Sequence, residues 1–301
     1  MRHFAFLIVI VALVIAGSAS IAPASPKPAL IASADVDAFG DLAPKLERLV
    51  DNAPGEVAIS VVDLHNGYTM SINGNVNLPA ASTIKVPVMV EVMRQIALGK
   101  FGFYRTVSLR EGDRDCGYGS LCDAPWGSKY TVWELLWRMI TVSDNTAANM
   151  LIRLVGRQHV NQTMQGLGLT QTWLGDSIHS DGDVRTLRTS ANDMMRLMGM
   201  IAEHRLVNAK ACDAMLEILA GQRHNTMIPA WLPKSLVIAH KTGTLHDTLN
   251  DIGIVELNGS PYVICVFTTH LSDLDLGERF IRQVSLLTFR AFSQRRAAPI
   301  N

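Results

Sequence analysis

Three short motifs in this sequence combine residue types that can carry out acyl transfer. They are Ser82-Thr83-Ile84-Lys85, Ser143-Asp144-Asn145 and Lys241-Thr242-Gly243. Ser82 and Lys85 are three residues apart at a predicted helix start, which places both side chains on one face. A lysine that is desolvated or close to a second cation has a lowered pKa and can accept a serine proton. The first motif therefore predicts a nucleophile beside its base, with Lys241 as the second cation.

The other two motifs supply groups for the remaining steps of acyl transfer. Ser143 lies in a predicted turn between helices, where its hydroxyl can pass a proton to a leaving nitrogen, and Asn145 can hold a substrate amide. The third motif enters β structure, whose edge offers backbone N–H groups for an oxyanion hole and hydroxyls for an anionic substrate group. Gly243 allows close approach there. Each motif alone also fits a structural role, such as a helix cap or a surface lysine.

The elements that must position these motifs fall into two groups along the chain. Apolar periodicity predicts helices at residues 42–50, 86–98, 131–140, 145–155, 160–167, 190–204 and 276–292. A hairpin is predicted at residues 56–64 and 68–72, and strand character returns only after residue 220, at 236–239, 250–257 and 261–269. This order predicts an α/β (α+β) fold, with an antiparallel sheet flanked by helices beside an all-helical lobe. The expected boundaries are 41–81 with 235–301 for the α/β lobe, and 82–234 for the helical lobe.

The first residues have the three-part plan of a secretory signal. Arg2 and His3 precede an apolar stretch, and small residues with a proline follow it. Residues 1–24 are therefore predicted to be a signal peptide and residues 25–40 a linker. The protein is expected to be secreted or periplasmic, with no membrane span after cleavage. An uncleaved membrane anchor is the alternative.

Charge and cysteine usage limit the classes of partner. Lys plus Arg and Asp plus Glu number 27 each, and no basic run suggests nucleic-acid binding. A small-molecule substrate and a monomer are expected. In an oxidising compartment, Cys116 and Cys122 are predicted to form a local disulfide, and Cys212 and Cys265 to remain buried free thiols. Neither pair has zinc-ligand spacing with histidine, so no metal is expected. No organic cofactor is expected either.

The three motifs in this order resemble the signature of class A β-lactamases and penicillin-binding proteins. Residues 131–149 and 249–255 also resemble that family around its second and third motifs, and the resemblance covers about residues 41–295. It implies acylation of Ser82, with Lys85 as base, Ser143 as proton shuttle and Asn145 on the substrate. Further implied roles are carboxylate binding by Lys241, Thr242 and Thr244, an oxyanion hole from the amides of Ser82 and Thr244, and an aromatic gatekeeper at Tyr118.

One departure from that family is evident in the sequence. Its class A β-lactamases carry a glutamate between the second and third motifs that activates the deacylating water, yet residues 136–202 contain no glutamate. The candidate substitutes in residues 169–188 are Asp176, His179, Asp181 and Asp183, each of which also fits a solvated loop. A β-lactam-hydrolysing enzyme is the main expectation. A D,D-peptidase acting on D-Ala-D-Ala peptides and an acylable binding module without turnover are the alternatives.

Overall fold

The computed structural model describes residues 39–180 and 186–297. Over these ranges the α-helices are α1 (Leu42–Val50), α2 (Lys85–Ala97), α3 (Val132–Thr141), α4 (Asn145–Val155), α5 (Arg157–Gly166), α6 (Ala191–Ala202), α7 (Ala209–Ala220) and α8 (Leu274–Ala297). The strands are β1 (Glu56–Asp63), β2 (Thr69–Ile72), β3 (Leu78–Pro79), β4 (Thr106–Ser108), β5 (Lys129–Thr131), β6 (Trp173–Leu174), β7 (Leu187–Thr189), β8 (Ile238–Leu245), β9 (Thr248–Val255) and β10 (Tyr262–Thr269).

The main sheet is antiparallel and joins the two ends of the chain, as the sequence predicts. Its strand order is β2-β1-β10-β9-β8, so β8 forms one edge. Strands β9 and β10 are joined through Asn258 and Gly259, whose φ angles of 53° and 73° suit a two-residue hairpin turn of the I′ type. Because β8 is an edge strand, the third motif faces a cleft on its free side.

Helices cover both faces of this sheet. One face packs against α1 and α8 through residues such as Leu46, Ile59 and Phe280, and the other joins the larger core of the helical lobe. Every residue of β9 and β10 is buried. A sheet that is covered on both faces reads as continuous apolar runs, which explains why these strands lack a strict alternation of polar and apolar residues.

The helical lobe differs from the sequence prediction in one respect. Strands β4 and β5 pair with each other, and β3, β7 and β6 form a small second sheet. The expectation that strand character returns only after residue 220 was therefore wrong. These strands are two or three residues long, which is too short for an alternating pattern to be detected.

The N-terminal predictions lie almost wholly outside the described residues. The predicted signal peptide at residues 1–24 and most of the linker at 25–40 precede Phe39, the first residue described. Among the helices of residues 39–180 and 186–297, none combines the length and apolar character needed to cross a membrane.

Candidate active site

Ser82 and Lys85 lie together at the start of the helical lobe. Ser82 is in a 3₁₀ turn, Ala81–Ile84, that leads directly into α2. Asn250 of β9 donates from its side-chain amide to the carbonyl of Pro79 at 2.9 Å and to that of Ala80 at 3.1 Å. These bonds fix the turn against the sheet. Only 3.0 Å separates Lys85 Nζ from Ser82 Oγ, so the predicted pairing of the two side chains is present.

The second motif brings two more polar side chains to Lys85. Asp144 caps α4 by accepting from the backbone N–H of Ala147 at 2.8 Å, which is the capping role that the sequence allowed. Ser143 precedes this cap with a φ of 58°, in the left-handed region that costs a residue with a Cβ atom about 1–3 kcal/mol. Lys85 Nζ donates to the Ser143 carbonyl at 2.7 Å and to Asn145 Oδ1 at 2.6 Å.

The third motif adds a second lysine on the opposite side of Ser143. Lys241 Nζ lies 3.0 Å from Ser143 Oγ and donates to the Thr242 carbonyl at 2.8 Å. Lys85 Nζ lies 3.1 Å from the same hydroxyl. One serine hydroxyl thus bridges two lysines that are both fully buried.

The burial of these two lysines changes their acid–base properties. Burial lowers the pKa of Lys85 well below its ordinary value, and the charge of Lys241 lowers it further, against opposing effects of Asp144 and Asp115. Burial also lowers the pKa of Lys241 to about 7, although the carboxylate of Asp251 raises it. A lysine that is neutral near pH 7 and touches a serine hydroxyl is able to accept its proton.

Behind Lys241, a buried histidine and carboxylate connect β8 to β9. His240 Nδ1 lies 2.9 Å from Asp251 Oδ1, and its Nε2 lies 2.9 Å from Asn225 Oδ1. Asp251 Oδ2 also accepts from the backbone N–H of Ile228 at 2.9 Å. This network holds the negative charge of Asp251 in place close to Lys241.

Gly243 allows β8 to pass close to the nucleophile turn. A Cβ atom at this position would lie 3.0 Å from Ala81 Cβ and 3.1 Å from the backbone nitrogen of Ser82. Such distances are tighter than ordinary van der Waals contact, and part of the crowding is with backbone. The close approach predicted for Gly243 is therefore to the turn that carries Ser82.

A cleft of about 390 Å³ opens beside Ser82 and Ser143. Residues of all three sequence motifs line it. Thr242 and Thr244, for which a carboxylate-binding role is predicted, both contribute to this lining. Tyr118 also lines the cleft, and its ring meets that of His224 edge to face, with 6.4 Å between centroids.

His224 was not predicted at this site. No local motif distinguishes this histidine from one with a packing or surface role. Burial lowers the pKa of His224, and the nearby Lys241 lowers it further. His224 therefore presents mainly a neutral ring to the cleft at neutral pH.

A disulfide ring carries Tyr118 to the cleft. Cys116 and Cys122 are bonded, and Cys212 and Cys265 are buried free thiols, which confirms both predictions. The ring packs onto the second motif. Asn145 donates its backbone N–H to the Tyr118 carbonyl at 3.0 Å, and Asp144 accepts from two backbone N–H groups near the end of the ring.

Loss of this disulfide should weaken both the fold and the site. Replacing Cys116 and Cys122 with serine removes a short loop closure, worth about 2 kcal/mol of unfolding free energy at this loop length. It should also loosen the contacts that the ring makes with Asp144 and Asn145. Urea unfolding with and without reductant measures the change. The reductant should leave the double variant unaffected, and equal stability of oxidised wild type and variant would contradict the prediction.

Asp115, immediately before this ring, was missed by the sequence analysis. Its Oδ1 accepts from Asn145 Nδ2 at 2.6 Å and from the backbone N–H of Gly117 at 2.9 Å. Its Oδ2 accepts from the backbone N–H of Ser180 at 2.6 Å and from Ser180 Oγ at 3.0 Å. A lone aspartate in a loop carries no signal that distinguishes it from a solvated residue.

The segment that lacks the expected glutamate lies near these residues, but its described candidate bases do not line the cleft. Asp176 is exposed, and its Oδ1 lies 4.0 Å from Nη1 of Arg157. His179 is also exposed, and neither residue is part of the cleft lining. Asp181 and Asp183 lie outside the described residues. Asn149 fixes the segment by accepting from the backbone N–H of Ile178 at 2.8 Å and donating to its carbonyl at 2.9 Å.

Comparison with known proteins identifies the class of protein. The Beta-lactamase enzyme family matches residues 41–292, and the chain belongs to that family. It is a serine hydrolase of the β-lactamase type.

Individual relatives agree with this assignment. The chain is similar to the β-lactamase VEB-1 of Pseudomonas aeruginosa, with 21% identity over 266 residues, covering 82% of this chain and 89% of that protein. The β-lactamase of Sphaerobacter thermophilus superposes with a TM-score of 0.79 at 29% identity, covering 85% and 97% of the two chains. PBP-A superposes with the same TM-score at 30% identity and the same coverage.

Proposed function

We propose that this protein is an exported serine hydrolase that opens β-lactams through an acyl-enzyme on Ser82. The observation that carries the proposal is the distance of 3.0 Å between Ser82 Oγ and the buried amine of Lys85. The names of VEB-1 and of the Sphaerobacter enzyme as β-lactamases support this choice of substrate. A further support is PBP-A, because the structure of one of its point mutants is an acyl-enzyme complex with penicillin G.

Acylation would use the three motifs in sequence. Neutral Lys85 takes the proton of Ser82 as Oγ attacks the β-lactam carbonyl, and the backbone N–H groups of Ser82 and Thr244 stabilise the oxyanion. The C–N bond then breaks. Ser143 gives its proton to the departing nitrogen and receives one from protonated Lys85, so that proton transfer is balanced. Asn145 would hold the side-chain amide of the substrate.

Recognition of the substrate carboxylate would fall to β8. Lys241 is buried behind Ser143, with its Nζ 3.0 Å from the Ser143 hydroxyl, and Thr242 and Thr244 of the same strand line the cleft. A cation with two adjacent hydroxyl donors suits a carboxylate, because hydrogen bonds to charged groups are stronger than neutral ones. Both β-lactams and peptides that end in D-Ala-D-Ala carry such a group.

A second candidate function is a D,D-peptidase that processes peptidoglycan. It is favoured by the absence of glutamate from residues 136–202 and by the similarity to PBP-A. Both functions begin with acylation of Ser82 and differ in the substrate and in the fate of the ester. Export, inferred from the N-terminal apolar stretch, suits either function, since peptidoglycan lies outside the cytoplasm.

Two assays on the same preparation separate these functions. A chromogenic cephalosporin reports steady-state β-lactam opening, and D-alanine release from a pentapeptide that ends in D-Ala-D-Ala reports peptidase activity. We expect repeated turnover of the cephalosporin with little D-alanine release. Release of D-alanine in many turnovers would establish the peptidase instead. Acylation without turnover of either substrate would identify a binding module.

The lowered pKa of Lys241 predicts an alkaline limit to substrate capture. Above pH 7 the free enzyme loses the Lys241 proton, and a neutral amine attracts a carboxylate weakly, so kcat/KM should fall as pH rises through about 7. The acidic limb should reflect protonation of Lys85. The profile of kcat/KM against pH measures both limbs. Lys241→Arg should abolish the alkaline limb, because a guanidinium keeps its charge, and an unchanged limb in that variant would contradict the assignment.

A further inference from the structure

Asp115 is a buried carboxylate that touches the active site from outside the three motifs. It is 8% exposed, and its two oxygens together accept four hydrogen bonds from Asn145, Gly117 and Ser180. Burial raises the pKa of Asp115, but these hydrogen bonds outweigh that effect and leave the pKa below its ordinary value. The group is therefore ionised at neutral pH, and as a carboxylate it can only accept.

This property decides which way the amide of Asn145 faces. An asparagine amide has a donor end and an acceptor end of nearly equal size, so packing alone does not distinguish them. Because Asp115 only accepts, Asn145 must turn Nδ2 toward it. The opposite end, Oδ1, then faces Lys85 Nζ at 2.6 Å.

The direction of that amide in turn determines where the lone pair of Lys85 lies. A neutral lysine amine has two N–H donors and one lone pair. The Ser143 carbonyl, at 2.7 Å, and Asn145 Oδ1 can only accept, and they take both N–H groups. The lone pair is left for the two hydroxyls within reach, those of Ser82 and Ser143.

A reversed amide would oppose this arrangement. Nδ2 of Asn145 would then donate to the lone pair of Lys85 and compete with the Ser82 hydroxyl for it. One N–H of the amine would also lose its acceptor, and an unpaired buried donor destabilises the arrangement. The contact between Asp115 and Asn145 therefore decides whether the amine of Lys85 can accept a proton from Ser82.

We propose that Asp115 is a positioning residue for the acylation step, because its carboxylate orients Asn145 so that the lone pair of Lys85 stays available to Ser82. This inference rests on the proposed function of Ser82 and Lys85. It assigns Asp115 no contact with the reacting atoms. The same carboxylate binds Ser180, and so it also ties the segment that lacks the glutamate to the second motif.

The variant Asp115→Asn tests this role. An amide at position 115 can donate to Asn145 Oδ1 and so permits the reversed orientation. We expect the maximal acylation rate with a fluorescent penicillin to fall about tenfold to a hundredfold, the scale on which a misplaced catalytic group acts. Non-covalent affinity for the penicillin, obtained from the concentration dependence of the rate, should fall by a much smaller factor, because the carboxylate-binding strand is untouched and only the contact of Asn145 with the substrate amide changes.

The matched control is Asp113→Asn, two residues earlier. Asp113 is 2% exposed and pairs with Arg153 at 2.7 Å, away from the three motifs. The variant Asp113→Asn should lower the melting temperature without a comparable loss in acylation rate. The inference is overturned if Asp115→Asn slows acylation no more than Asp113→Asn does. It is also overturned if the affinity of Asp115→Asn falls by as large a factor as its acylation rate does.

Two further readings keep the test independent of folding and of the proposed function. In the wild-type protein, Asn145 Nδ2 and the Gly117 backbone N–H donate to the same oxygen, so NMR should show a nuclear Overhauser contact between their protons. Contacts of the Asn145 amide protons with the Lys85 side chain instead would overturn the inference even if Asp115→Asn does not fold. Acylation of the wild-type protein is measured first, because its failure would refute the proposed function rather than the role of Asp115.

Discussion

Lys85→Met is expected to slow acylation of Ser82 by a hundredfold or more, because the loss of general-base help typically costs about 10²–10⁴-fold in rate. Methionine keeps the approximate volume of the lysine side chain but cannot accept a proton. The replacement also removes a buried amine whose charged form is disfavoured by its surroundings. The rate at which a fluorescent penicillin labels the protein measures the effect.

The matched control for this variant is Lys100→Met, at an exposed lysine just after α2. It should label at the wild-type rate. Melting temperatures of both variants separate a loss of chemistry from a loss of folding, since Lys85→Met leaves Asn145 Oδ1 and the Ser143 carbonyl without their shared donor. Near-normal labelling of Lys85→Met would mean that another group activates Ser82.

The second large effect is expected in the fate of the acyl-enzyme. Hydrolysis of the ester needs a water molecule and a base that accepts its proton, and a missing base costs about 10²–10⁴-fold. Within the described residues, neither Asp176 nor His179 lines the cleft at Ser82, and Asp176 lies beside Arg157. We therefore expect penicillins to acylate the protein faster than the ester clears, so that intact-protein mass spectrometry detects the adduct within minutes.

Repeated consumption of penicillin without any detectable adduct would contradict this expectation and require a substitute base. His224→Ala, at the histidine that lines the cleft, is the first variant to test in that case, followed by Asp176→Asn and His179→Ala. Loss of turnover with retained acylation in one of them would identify the base. Slow clearance remains compatible with measurable turnover of a cephalosporin, because a missing base slows hydrolysis of the ester without preventing it.

The two buried lysines explain why the site depends on so many polar contacts. Burial of an isolated ammonium group is unfavourable, and for this reason the pKa of both lysines is lowered. Oxygen atoms also surround each amine and accept its hydrogen bonds. Ser143 holds a left-handed φ so that its hydroxyl lies between them. The same contacts that stabilise the buried amines also form the path for proton transfer.

The sequence predicted the motifs and the long elements well for a physical reason. Ser82 and Lys85 are adjacent in any helical turn, and the strands that carry Lys241 and Asn250 are long enough to show their apolar pattern. The local disulfide followed from the short spacing of Cys116 and Cys122. These features depend on interactions that are short in sequence.

What the sequence did not predict depends on contacts between distant segments. Asp115 reaches Asn145 and Ser180 across 30 and 65 residues, and no periodic pattern marks such a pairing. His224 comes to the cleft only because the chain after α7 passes beside β8. The two- and three-residue strands of the helical lobe form where tertiary packing, rather than propensity, aligns the backbone.

The most direct test of the account is the site of covalent labelling. Wild-type protein, Ser82→Ala and the control Ser272→Ala, at an exposed serine before α8, are each incubated with benzylpenicillin and analysed by mass spectrometry, intact and after proteolysis. We predict one adduct per chain on the peptide that contains Ser82 in the wild type and in Ser272→Ala, and none in Ser82→Ala. An adduct that persists in Ser82→Ala, or that maps to another residue of the wild type, would contradict the assignment of Ser82 as nucleophile.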